Sequence, residues 1–160
     1  MALNNDFVEY SETVGKIVAN LQSLEFSLRL YLHNSQTEAS AAVLPKLLHE
    51  LTVGEVVPET PLTDWSTLSA LIDRFNRSVS KDRPELVVSK SVVEIRDALA
   101  HGRMWLPDMS AAPVLLKFEK PAGGSTRVTF LQVSSGEWLN NTIVQIHREM
   151  IKVQAALGHA

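Results

Sequence analysis

Cysteine is absent from this 160-residue chain, which excludes disulfides, thiolate metal sites and a cysteine nucleophile and fits a reducing compartment. Long apolar runs are missing too, so no segment reads as a membrane span. The start carries Asn4, Asn5, Asp6, Glu9 and Glu12 where a signal peptide would have basic and then apolar residues, and cytoplasm is the expected location. An excess of positive charge is also lacking. The formal net charge is −3, whereas proteins that grip nucleic acid through many phosphates are basic over the whole domain, so any such contact must be local.

Several chemical signatures are absent as well. The sequence has no Gly-x-Gly-x-x-Gly fingerprint, no Walker pattern, no Gly-x-Ser-x-Gly elbow and no HExxH pair, so dinucleotide binding, a phosphate-cradling loop, Ser-His-Asp hydrolysis and zinc hydrolysis are not indicated. None of the histidines at 33, 49, 101, 147 and 159 stands beside a second histidine at ligand spacing. Neither a metal nor a cofactor is expected. His33 and His147 read as helix-surface residues and His159 as part of a terminus.

What is present is the composition of a globular protein, 45% apolar and 21% charged, in a length that fits a single domain over residues 1–160. Val14, Ile17, Val18, Leu21, Leu24, Leu28, Tyr31 and Leu32 recur at three-to-four spacing and predict a long helix from about Asp6 to Leu32. On it, Glu25 and Arg29 form an i,i+4 pair of the kind that contributes little at a surface. Leu44, Leu47, Leu48 and Leu51 predict a short helix around Pro45, and Val53 to Pro61 reads as a loop. A third helix begins near Thr63 or Asp64, either a candidate cap, with Trp65, Leu68, Ile72, Phe75 and Val79 on one stripe. Asp82 and Pro84 open a fourth, with Val88, Val92, Ile95 and Leu99 as its buried stripe and Gly102 ending it in the left-handed conformation.

Val114 to Glu119 and Arg127 to Val133 then predict a β-hairpin over about 113–133, turned by Gly123 and Gly124. Ser134 to Glu137 can form a capping box for the last helix, which carries Leu139, Ile143, Ile146, Met150, Val153 and Leu157. The expected fold is mainly α, a four- to five-helix bundle with a hairpin inserted before the last helix.

One segment suggests chemistry: Arg96-Asp97-Ala98-Leu99-Ala100-His101, at the end of the fourth helix. Asp97 and His101 are neighbours on one face, so the carboxylate could accept a hydrogen bond from the imidazole and fix its tautomer, the orienter-and-base arrangement of acid–base catalysis. The unpaired carbonyls of the helix end favour a cation there. Arg96 and Arg103, seven positions apart, would nearly superimpose if the helix continued, and guanidinium forks suit phosphate oxygens. Arg96 and His101 point about 140° apart on an ideal helix, so one chain would struggle to aim both at one atom. Arg74, Arg77, Lys81 and Arg83 form a second group of cations, a candidate substrate-binding patch whose plainer reading is a solvated helix end.

The six-residue motif resembles the signature of the HEPN superfamily: Arg, a polar residue that is often Asn and sometimes Asp or His, three variable residues, and His. The phrase from Ile95 to Arg103 is similar to bacterial members, and the helical arrangement from about Asp6 to Leu157 matches more loosely. The resemblance implies a homodimer whose motif helices face each other and, in active members, a metal-independent endoribonuclease, toxin-like or defence-related. His101 would then be general base or acid for attack by the RNA 2′-hydroxyl, Arg96 would stabilise the phosphorane, and Asp97 would orient His101. Independently of the resemblance, the cations Arg103, Arg74, Arg77 and Lys81 are the expected substrate-binding residues.

Two positions depart from the family pattern, and the predicted hairpin between the motif helix and the last helix is an elaboration that could flank the cleft or extend the dimer interface. The polar residue is Asp97, and some members paired with nucleotidyltransferase antitoxins carry a modified tyrosine where this chain has Arg103. The alternative expectations are a non-catalytic HEPN-like module that binds RNA, a nucleotide or a partner protein, and a helical dimer without a nucleic-acid role; an antitoxin or other protein is an expected partner.

Overall fold

The computed structural model describes residues 5–36, 50–108 and 111–158. Four α-helices lie in these residues: α1 (Asn5–Gln36), α2 (Leu68–Val79), α3 (Ser91–His101) and α4 (Gly136–Leu157). A 3-10 turn spans Pro84–Leu86, and three strands, β1 (Arg103–Trp105), β2 (Val114–Phe118) and β3 (Val128–Val133), form one antiparallel sheet in that order. The protein is thus mainly helical with a small sheet. The short helix expected around Pro45 falls largely outside the described residues, and Leu51 is not helical. No helix among the described residues is long and apolar enough to cross a membrane.

The described residues group into two compact units. One takes 5–22, 90–108 and 111–148, and the other takes 23–36, 50–89 and 149–158. In the first, Ile17 and Leu21 of α1, Val92, Ile95 and Ala98 of α3, Leu115 of β2, and Leu139 and Ile146 of α4 are buried. In the second, Leu24, Leu28 and Leu32 of α1 are buried, as are Leu68, Leu71, Ile72, Phe75 and Val79 of α2. Tyr31 meets Phe75 edge-on at 4.8 Å between ring centroids, a favoured aromatic geometry.

Both middle helices start later than their apolar spacing predicts. The cap of α2 is Thr67, whose side chain accepts from the Ala70 N–H. Asp64 cannot cap because its carboxylate is taken by Ser66, Arg29 and Arg74, and Trp65 lies off the buried stripe, 99% exposed. In front of α3, the Asn76 amide accepts from the Val88 N–H at 2.8 Å and donates to the Val88 carbonyl at 2.9 Å. The buried Glu149 accepts from the Ser89 N–H at 3.0 Å. These bonds occupy the backbone of 88–89, so Pro84 begins only a short turn and the helix waits until Ser91. Asp82 is exposed and caps nothing in α3.

The buried line of α4 also departs from the apolar list. Thr142 and Glu149 are buried, while Ile143, Met150 and Leu157 are only half-buried. Ser135 caps this helix by accepting from the Trp138 N–H. In the hairpin, Gly123 and Gly124 both have positive φ, 59° and 79°, and Ala122 and Ser125 exchange backbone hydrogen bonds, the geometry of a two-residue type I′ turn.

Candidate functional site

Helix α3 ends where it does because of glycine, though not through the left-handed conformation the sequence suggests. Gly102 is extended, with φ −76° and ψ 178°, and its N–H donates to the Ala98 carbonyl. Glycine is needed here for close approach: a Cβ would strike the Ala98 carbonyl oxygen and lie 2.8 Å from that of Leu116. Bare backbone at this point lets the chain leave α3 and enter β1 directly, with Arg103 paired to Leu116. The helix therefore stops before Arg103, which does not stack above Arg96. The exposed Arg103 guanidinium instead lies over the Phe118 ring, 5.4 Å from its centroid, a cation–π contact.

Asp97 pairs with cations and not with His101. Its Oδ1 accepts from Arg96 Nη1 at 2.8 Å, and its Oδ2 lies 3.5 Å from Lys117 Nζ. The Arg96 and Asp97 side chains are about one-third exposed and that of Lys117 about one-quarter, a setting in which solvent screens each pair. Arg96 can reach Asp97 because adjacent helix residues differ by about 100° in direction, within the range of a long side chain. Lys117 arrives through the sheet: Leu115 is buried, and Lys117, two residues on, shares its face of β2. The exposed imidazole of His101 makes no hydrogen bond or ion pair among the described residues. Sequence reasoning placed Lys117 in a strand but had no signal for which helix that strand would face.

The second group of cations belongs to the other unit and is largely structural. Arg74 Nη1 donates to Asp64 Oδ2 at 3.1 Å and to Ser66 Oγ at 3.3 Å. Arg83 donates to the Ala155 carbonyl at 3.0 Å. Arg77 and Lys81 are exposed, and the Arg77 Nε–H reaches only the Asp73 carbonyl of its own helix.

Beside Arg74, the Glu25–Arg29 pair proves to be more than a surface contact. Arg29, with its side chain 13% exposed, donates to Glu25, to Asp64 Oδ1 and to the carbonyls of Pro61, Asp64 and Ser66. Burial raises the Asp64 carboxyl, but the hydrogen bonds from Ser66, Arg29 and Arg74 outweigh it and hold its pKa at about 2.

His33 is buried at 2% exposure, against its expected surface position, whereas His147 is exposed. His49 and His159 lie outside the described residues. No group of three or more His, Asp or Glu that could hold a metal occurs among the described residues. No family model, curated protein or solved structure matches the chain.

Proposed function

We propose that this chain is a metal-independent endoribonuclease of the HEPN type, toxin-like or defence-related, built as a helical bundle with an inserted hairpin and acting as a homodimer. The observation that carries the proposal is the neutralised Asp97 next to an exposed His101 on the last turn of α3. A bare carboxylate would repel the phosphate. With Arg96 and Lys117 on its two oxygens, the cluster as a whole carries one positive charge and can accept an anion.

In this reading His101 removes the proton of the RNA 2′-hydroxyl. The 2′-oxygen attacks phosphorus, the bond to the 5′-oxygen breaks, and that oxygen takes a proton from a general acid, leaving a 2′,3′-cyclic phosphate. Arg96 stabilises the charge of the phosphorane. Because Arg96 and His101 diverge by about 140° on one helix, two copies related by a twofold axis supply the arginine of one and the histidine of the other. An antitoxin or other protein partner belongs to the same reading.

Incubating wild-type and His101→Ala protein with mixed cellular RNA in excess chelator tests it. Cleavage by wild type alone, with 2′,3′-cyclic ends, is the expected result. Intact RNA with both proteins, each shown to be a folded dimer, would leave the second reading: a non-catalytic module that binds RNA, a nucleotide or a protein. The hydrogen bond that already engages Arg96 and the lack of an orienting partner for His101 favour that second reading.

A further inference from the structure

We infer that Lys117 is a substrate-binding residue, the cation that holds the RNA phosphate at which His101 acts. The inference rests on the ribonuclease reading and adds to it a residue from the hairpin. Asp97 and His101 are four residues apart on α3, so they share a face and are separated by about 6 Å along the helix axis. Lys117 Nζ sits 3.5 Å from Asp97 Oδ2, the carboxylate oxygen not bonded to Arg96. Within a single chain Lys117 therefore reaches the carboxylate of the residue that shares a face of α3 with His101, and Arg96 Nη1 reaches the other oxygen of that carboxylate.

The ammonium is free to serve two anions. It is about one-quarter exposed, it has three donors, and among the described residues its one anionic neighbour is Asp97. A phosphate next to His101 can take the remaining donors in competition with Asp97. Gly102 makes this possible, since its bare Cα lets the backbone of β2 close on the helix end at Leu116, the residue before Lys117.

The test measures binding and cleavage of a single-stranded RNA oligonucleotide by wild type, Lys117→Gln and Lys117→Arg at several salt concentrations. Gln is expected to weaken binding about tenfold and to lower the salt slope by about one, with Arg restoring most of both. In parallel, reductive methylation of the wild-type protein, read by mass spectrometry, should find Lys117 protected by the RNA and not by an equal concentration of inorganic phosphate. A wild type that cleaves RNA while Lys117→Gln keeps its affinity and slope, or while Lys117 stays unprotected, overturns this inference alone. A wild type that neither binds nor cleaves RNA overturns the ribonuclease reading and the inference together. Protection by inorganic phosphate to the same degree would mean a free-anion site and would also overturn it.

Discussion

Lys117 Nζ lies 3.5 Å from Asp97 Oδ2, although a strand and a loop separate β2 from α3 along the chain. The carboxylate has two cations for neighbours, so removing its charge should free both. Asp97→Asn is expected to change stability by less than about 1 kcal/mol, because both pairs are solvent-screened. It should also tighten binding of single-stranded RNA. Urea unfolding and an RNA titration at fixed salt check the two halves; weaker RNA binding would mean that the carboxylate contributes more than charge masking.

Gly102→Ala should destabilise the protein by about 1–3 kcal/mol, since the added methyl meets backbone oxygens on two sides. The conformation itself, with φ −76°, suits any residue. Gly123→Ala differs: nothing lies near its Cβ, and its cost, about 1 kcal/mol, comes from the positive φ. Equilibrium unfolding of the two variants separates the causes, and a Gly102→Ala protein as stable as wild type would contradict the close approach.

Arg29→Lys should cost nearly as much stability as Arg29→Ala, about 2–4 kcal/mol. A lysine cannot reproduce a planar fork that serves Glu25, Asp64 and three backbone carbonyls together. Thermal unfolding of both variants decides this, and full rescue by lysine would show that charge alone matters.

Asp64 titrates at about 2 in the folded chain against an ordinary 3.8. A folded pKa below the unfolded one means that the stabilisation is fully present above about pH 4 and is lost as pH falls towards 2. Its size is about 2 kcal/mol. In Asp64→Asn the corresponding share of acid sensitivity should disappear, so that the stability difference from wild type shrinks between about pH 5 and about pH 2. A difference that stays constant with pH would refute the assignment.

Trp65→Ala should leave stability within about 0.5 kcal/mol of wild type, because the indole is 99% exposed and its removal opens no cavity. Differential scanning calorimetry reads this directly, and a large loss would mean that the indole is covered in solution.

The sequence alone determined the elements that local chemistry controls. Three-to-four apolar spacing predicted α1 and the bodies of α2, α3 and α4, and paired glycines predicted the turn between β2 and β3. It also placed Arg96, Asp97 and His101 together near a helix end, because helical spacing is a local property. Tertiary structure decided what each charged side chain touches. Asn76 and Glu149 delayed the start of α3, Gly102 turned the chain into an unforeseen strand, and Lys117 took the carboxylate that helical spacing assigned to His101. Buried polar groups such as Glu149 escape an apolar pattern, since their burial depends on partners distant in the chain that neutralise or hydrogen-bond them. Side-chain pairing is a competition among all groups within reach, and only the folded chain specifies who is within reach.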